Sequence, residues 1–340
     1  MYMHKALLFK KLKNNLVECT ACNHYCKIVP DRCGICGVRQ NKDGILYSLV
    51  YGLTSGSEVD DIEKKPFFHF LPGSSVFSVG TIGCNFGCDF CQNAWMSQCT
   101  KDKSIPVPPL YKLSPKEIVY FCIENNIKII SYTYNEPFIF CEYTYDTAKL
   151  AKKAGIKNVY VSNGYGSKEA VELMSPYLDA INIDLKSFSN TFYTKICKAK
   201  LQPVLDSIKL LYNKGIWIEL TTLIIPGQND SPHELDQIAQ FIVSVSQSIP
   251  WHVTRFSPSY KMRNISSTSE AKIKEAYRIG KTAGLKYVYA GNIHDQDLHS
   301  TYCPKCEELL IKRDWGYTRI ENLKDGKCGK CNARIEGMWK

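Results

Sequence analysis

Gly83-Cys84-Asn85-Phe86-Gly87-Cys88-Asp89-Phe90-Cys91 follows directly on Val76–Gly80, a short apolar run that reads as a strand. Three thiolates fall within eight residues, and Gly83 and Gly87 allow a tight wrap, so the loop can surround one iron–sulfur cube. Ordinary four-iron clusters take four cysteines. A loop that offers three leaves one iron without a protein ligand, open to chemistry. A fourth ligand elsewhere would close the cluster for electron transfer alone, and Cys99 is the candidate for that role. Zinc fits less well, because the x3, x2 spacing is unlike the paired knuckles of zinc ribbons.

Working outward, short β-branched runs alternate with amphipathic stretches. Strands are expected at Lys128–Thr133, Asn158–Ser162, Asp179–Leu185, Trp217–Ile225, His252–Phe256 and Tyr287–Ala290. Ser114-Pro115-Lys116-Glu117 and Ser231-Pro232-His233-Glu234 are both helix starts, with a serine cap, a first-turn proline and a glutamate to complete a capping box. Further helices are expected at Glu142–Ala154, around Gln202–Asn213 and near Glu270–Ala283, each followed by a glycine. Alternation at about 30-residue spacing means βαβ units and a parallel α/β barrel, partial or full, closed or nearly closed. In such barrels the chemistry sits on loops after the C-terminal ends of strands. The divisions expected are a Cys-rich module at 1–72, the barrel at 73–297 and a zinc-ribbon or rubredoxin-like module at 298–340. No Gly-x-Gly-x-x-Gly follows a strand and no phosphate-binding loop ends in Gly-Lys-Ser/Thr, which argues against nicotinamide and nucleoside-triphosphate enzymes.

The chain has 340 residues, 44% apolar and 22% charged, so disorder and collagen-like repeats are excluded. No run approaches eighteen apolar residues, so no membrane span is expected. The opening stretch Met1–Lys10 places charges too close to a short apolar patch for a signal peptide. Of sixteen cysteines, twelve sit in three tight groups, which reads as metal ligation in a reducing cytoplasm. The net charge is +10, and residues 1–50 hold eight Lys/Arg against three Asp/Glu. With no arginine-rich block and no basic stripe interleaved with aromatics, the nucleic-acid signal is weak.

Cys84-x3-Cys88-x-Phe90-Cys91 resembles the signature of the radical S-adenosylmethionine (SAM) enzymes. Ser131-Tyr-Thr-Tyr-Asn-Glu136-Pro137 is similar to the Gly-Gly-Glu-Pro loop of that superfamily, which makes Glu136 the partner of the methionine amino group. Ser162-Asn163-Gly164 and Asp184-Leu185-Lys186 match positions that contact ribose and carboxylate in activases of glycyl-radical enzymes, and His252 and Arg255 are placed to reach the same cavity. The resemblance implies a [4Fe–4S] cluster on Cys84, Cys88 and Cys91. It also implies SAM as cofactor, held by Glu136, Asn163, Asp184, Lys186 and His252, and a one-electron reductant such as ferredoxin or flavodoxin. One electron splits the sulfur–carbon bond of SAM, and the resulting 5′-deoxyadenosyl radical takes a hydrogen from an unidentified substrate, a protein among the candidates. A nucleic-acid-modifying enzyme of the same superfamily, a glycyl-radical-enzyme activase and a metal-bound scaffold are the competing readings.

More narrowly, Cys33-Gly-Ile-Cys36-Gly-Val-Arg, Glu63-Lys-Lys-Pro-Phe-Phe-His-Phe-Leu-Pro-Gly73, the cluster loop through Asn93, Thr133–Pro137 and Tyr287–Asn292 resemble the radical enzyme of the AmmeMemoRadiSam system. That resemblance implies AMMECR-family and Memo-family partners.

The remaining cysteine groups flank the barrel. Cys303-x2-Cys306 and Cys328-x2-Cys331 can close a four-thiolate site, zinc first and rubredoxin-like iron second. Among Cys19, Cys22, Cys26, Cys33 and Cys36, four can hold zinc with one spare, or an auxiliary iron–sulfur cluster; zinc is the expectation. His24 is expected to be solvated, His69 to be a packed core or hinge residue, and Cys99, Cys122, Cys141 and Cys197 to be packing.

Overall fold

The computed structural model describes residues 3–314 and 316–340; Met1 and Tyr2, the start of the stretch read for a signal peptide, lie outside them. Eight strands form the central sheet. In spatial order they are Val288–Gly291, Trp251–Arg255, Trp217–Ile224, Ala180–Asp184, Lys157–Ser162, Ile129–Tyr132, Ser75–Gly80 and Gly56–Asp61. The first seven are parallel and run in reverse chain order. Each is rich in Val, Ile and aromatic residues and buried nearly throughout, as a sheet covered on both faces requires.

The barrel is partial. The described strands at its two ends, Val288–Gly291 and Gly56–Asp61, do not pair with each other. Gly56–Asp61 is antiparallel to Ser75–Gly80, register Gly56↔Gly80 to Asp61↔Ser75, and was not expected from the sequence. Its residues, Gly-Ser-Glu-Val-Asp-Asp, carry no apolar alternation because an edge strand with one exposed side needs none.

Helices cover the outside, and their starts follow capping chemistry. Before Pro115–Glu124, the Ser114 hydroxyl accepts from the Glu117 amide while the Glu117 carboxylate accepts from the Ser114 amide, a complete box. Before Pro232–Val245, Ser231 caps the Glu234 amide, but the Glu234 carboxylate turns away to Ser187 and the Phe188 amide. The same four-residue signature therefore yields a full box once and a half box once. The diverted glutamate instead fixes the loop after the Ala180–Asp184 strand.

Beneath the sheet, Phe67 and Phe70 pack with Ile129, Val159 and Ala180, at or near the starts of three parallel strands, and plug that end of the half-barrel. Residues before Gly56 form short antiparallel sheets, Phe9–Lys11 with Val17–Cys19 and Lys27–Ile28, and His4–Lys5 with Ile45–Ser48 and Arg39–Lys42. After the sheet, Thr301–Tyr302, Leu309–Asp314 and Tyr317–Ile320 make a three-stranded ribbon, and Leu323–Lys324 pairs with Lys327–Cys328. The chain end returns beside Phe70, where Met338 donates to the His69 carbonyl at 2.7 Å. Among the described residues, no helix is long and apolar enough to cross a membrane.

Candidate active site

A cavity of about 830 Å³ opens at the C-terminal ends of the parallel strands, within the size range of small-molecule sites. All eight residues singled out from the sequence for the cluster and SAM line it: Cys84, Cys88, Cys91, Glu136, Asn163, Asp184, Lys186 and His252. Arg255 does not. On Trp251–Arg255 the side chains alternate, so His252 and Thr254 face the cavity. Arg255 takes the other face, where its Nε donates to the Thr268 carbonyl at 2.8 Å.

The cysteine loop is held from below by one asparagine. Asn135 Nδ2 donates to Thr81 Oγ1 at 3.0 Å and to the Gly83 carbonyl at 2.9 Å, while its Oδ1 accepts from the Thr81 amide at 3.1 Å. The Asn-Glu-Pro variant of the loop thus puts a buried clamp where Gly-Gly-Glu-Pro has a glycine. Tyr134, at φ 69°, makes the turn, and its carbonyl accepts from Asn93 Nδ2 just beyond Cys91. Thiolate-directed donors are in place as well: the Phe86 amide lies 3.4 Å from Cys84 Sγ, and Asn163 Nδ2 lies 3.9 Å from it.

Burial raises all three cavity thiols, Cys84 to about 12. For Cys88 the leading cause is the neighbouring Cys197 thiol, ahead of burial. Cys197 was read as packing. It is fully buried beside Cys88, on a π-helical turn, Tyr193–Cys197, whose last carbonyl accepts from the Gly87 amide at 2.9 Å. Cys99, the sequence candidate for a fourth ligand, is spent elsewhere, its thiol on the Met96 carbonyl at 3.2 Å. Cys122 and Cys141 are buried in the core.

Glu136 is 1% exposed, and its carboxylate accepts only from donors that orient it. These are the Asn163 amide at 2.8 Å, Ser162 Oγ at 2.8 Å and the Phe138 amide at 3.2 Å. Burial nonetheless outweighs them and lifts its pKa to about 7. Lys186 pairs with Asp184 at 2.8 Å. Burial works against its charge, but Asp184 and Cys88 outweigh that and hold its pKa well above the usual lysine range. Asn163 reaches the cysteine loop through Nδ2 to Asn85 Oδ1 at 2.7 Å. Asn85 Nδ2, on the same loop, is a buried donor without an acceptor.

Three contributors escaped the sequence reading. Glu219, wholly buried on a central strand, accepts from His252 Nε2 at 2.7 Å and from the Phe68 and His69 amides, fixing the imidazole against the cavity wall. A charge in the middle of an apolar strand was the available signal. Asn135 carries no signal in the sequence beyond its place before Glu136. Arg313, from the C-terminal ribbon, lines the cavity at 3% exposure, over the Phe68 ring at 4.3 Å and on the Phe68 carbonyl. His69 is buried, its ring between Tyr289 and the Glu336 carbonyl.

At the C-terminus, Cys303, Cys306, Cys328 and Cys331 bring their sulfurs within 4.8 Å of one another, with Cys303–Cys331 at 3.6 Å and Cys306–Cys328 at 3.7 Å. A tetrahedral ion bound at about 2.3 Å to each sulfur needs separations of about 3.8 Å, so these four are spaced to hold one metal ion. Of the N-terminal five, Cys19, Cys22 and Cys36 are buried and Cys26 partly so, whereas Cys33 is exposed. His24, expected to be solvated, is half-buried with Nε2 2.9 Å from the Asn85 carbonyl.

Comparison with known proteins agrees with this layout. The model of the Radical SAM superfamily matches residues 78–242, which include the three cavity cysteines. An uncharacterized protein of Methanocaldococcus jannaschii is 39% identical over 337 residues, covering 98% of this chain and 99% of that protein. The pyruvate formate-lyase-activating enzyme of Clostridium pasteurianum is 22% identical over 204 residues, 57% of this chain and 84% of the enzyme. Among solved structures, a radical SAM methyltransferase from Sphaerobacter thermophilus aligns with a TM-score of 0.51 at 14% identity, over 65% of this chain and 67% of that one, a likeness of fold alone.

Proposed function

We propose a function from a plain premise: the chain belongs to the radical SAM superfamily and is an enzyme. The cavity is its active site, with a [4Fe–4S] cluster on Cys84, Cys88 and Cys91 and SAM beside it. When bound, the pair supplies one-electron chemistry, reductive cleavage of SAM to methionine and a 5′-deoxyadenosyl radical that abstracts hydrogen from a substrate. The single observation that carries this reading is the convergence of three cysteines and Glu136, Asn163, Asp184, Lys186 and His252 on one cavity.

The residues fit that cargo. Glu136 is a buried carboxylate held by three donors and poorly compensated by any cation, so an ammonium group entering the cavity neutralises it. Lys186, paired with Asp184, presents a fixed positive charge to a ligand carboxylate. Asn163 spans from Glu136 to the cysteine loop and keeps the two in register. Arg313 walls the cavity from the ribbon side, which helps exclude water from a reactive intermediate.

Sixteen free cysteines support a reducing cytoplasmic setting, with ferredoxin or flavodoxin as electron donor. Zinc is the metal proposed for the C-terminal four. Divisions at 1–72, 73–297 and 298–340 and AMMECR- and Memo-family partners complete the reading, and a protein substrate is preferred. The relationship to an activating enzyme favours one second reading, activation of a glycyl-radical enzyme. The test is anaerobic: with a strong reductant the chain is expected to convert SAM to methionine and 5′-deoxyadenosine. Replacing Cys84, Cys88 and Cys91 by alanine should abolish this; undiminished cleavage by that variant refutes the proposal.

A further inference from the structure

We propose that Cys19, Cys22, Cys26 and Cys36 hold a second iron–sulfur cluster, packed directly against the cavity cysteine loop, and that Cys33 takes no part.

The four are assembled by local structure. The hairpin of Val17–Cys19 with Lys27–Ile28 has register Val17↔Ile28 and Glu18↔Lys27, and it continues to Cys19 opposite Cys26, whose carbonyl accepts from the Cys19 amide at 2.9 Å. The turn between them carries Cys22. The Cys33–Cys36 loop then folds over Cys26: a Cβ at Gly34 would meet Ile28 Cδ1 at 3.1 Å and lie 3.5 Å from Cys26 Sγ, so the loop packs on Cys26 at contact distance. This brings Cys36 inward. Cys33 pairs instead with Gln40 on the outside and stays exposed. Cys19, Cys22 and Cys36 belong to one buried cluster with Cys26 packed against it, and Cys33 lies outside that cluster.

One observation selects a cluster over a single ion, and a second fits an anionic centre at this place. The C-terminal sulfurs all lie within 4.8 Å of one another, as one tetrahedral ion demands. Among the described residues, the N-terminal four do not close to that distance, and neither do Cys84, Cys88 and Cys91. Thiolates on separate irons of a cluster stand farther apart than those on one ion, so the N-terminal set, like the cavity set, departs from single-ion spacing in the direction a cluster requires. The second observation is Arg39. It is 1% exposed, its carbonyl accepts from the Gly34 amide inside the Cys33–Cys36 loop at 2.9 Å, and its buried Nε has no acceptor. A spare buried cationic N–H next to this loop suits an anionic metal–thiolate centre.

Contact with the cavity loop is direct. A Cβ at Gly83 would lie 2.5 Å from the Cys36 carbonyl, so Gly83 must be glycine for the two loops to touch. Thr100 Oγ1 donates to that same carbonyl, and His24 meets the Asn85 carbonyl. The N-terminal loops thus flank Cys84 on both sides.

Acid-labile sulfide distinguishes a cluster from zinc or a rubredoxin-like iron, because neither of those contains it. Full-length chain with Cys84, Cys88 and Cys91 all replaced by alanine, produced anaerobically with iron and zinc both supplied, is expected to keep about two to four sulfides per chain. Adding Cys19→Ala and Cys36→Ala should remove them, and Cys33→Ala should not. A sulfide-free triple variant carrying two zinc ions per chain overturns the proposal. Should the triple variant fail to fold, Cys19→Ala/Cys36→Ala in the otherwise unchanged chain decides: sulfide equal to that of the unsubstituted chain overturns the inference, and a drop to about four supports it. Cleavage of SAM by the unsubstituted chain is read separately, so failure here leaves the proposed function standing, and the converse also holds.

Discussion

The cysteine sets at the two ends of the chain look alike in sequence and differ in how they are held. The C-terminal four stand on short hairpins at the surface, and Cys306 and Cys331 are only partly covered. Their sulfurs already meet at single-ion distance. The N-terminal set is embedded in the main hydrophobic core, between the cavity loop and a buried ion pair, Arg39–Glu142 at 2.7 Å. The C-terminal set is spaced for one ion, whereas the N-terminal set is ordered by the protein around it and lies against the cavity loop. Spacing motifs report ligand count; burial and sulfur separation report what the site is for.

The largest expected effect is on the surface side of this comparison. Cys306→Ala should empty the C-terminal site, and structural zinc sites contribute about 10 kcal/mol or more of apparent folding free energy. Metal analysis and thermal unfolding check this, and unchanged stability would erase the contrast. Because Arg313 belongs to that ribbon, the cavity wall should loosen as well.

The next effect lies on the buried side. Glu142→Ala leaves the Arg39 charge without its partner in the core and should cost about 3–5 kcal/mol in urea unfolding at neutral pH. Burial raises the Glu142 pKa, but Arg39 outweighs it and brings the value to about 2, below the ordinary 4.5. The pair's stabilisation is therefore complete above the ordinary carboxylate value and fades as pH falls toward 2. The gap between unsubstituted chain and variant should narrow over that window.

Glu136 gives the smaller and opposite effect. Its pKa is raised from 4.5 to about 7, so its contribution to stability is greatest below 4.5 and declines as pH rises to about 7. The decline amounts to at most about 3 kcal/mol. Glu136→Gln should remove that slope from the unfolding free energy of the ligand-free chain. A slope that survives in the variant assigns it to another group.

The sequence made the barrel legible because its strands are buried on both faces. Trp217–Ile225 was expected and Trp217–Ile224 is found, and the other parallel strands agree similarly. Gly56–Asp61 was hidden by its polar edge character. The site was legible where a residue is bound to a motif, as for Cys84 or Glu136. It was illegible where the partner is distant in sequence: Glu219 on His252, Glu234 on Ser187, Arg313 from the ribbon. Strand alternation alone would have turned Arg255 away once His252 was placed inward.

The central claim is an iron open to SAM in the barrel cavity. Its most direct measurement is the electron paramagnetic resonance spectrum of the reduced chain with and without SAM. Addition of SAM is expected to shift part of the signal in the unsubstituted chain and nothing in the chain lacking Cys84, Cys88 and Cys91. A spectrum of the unsubstituted chain that SAM leaves unaltered would contradict the account.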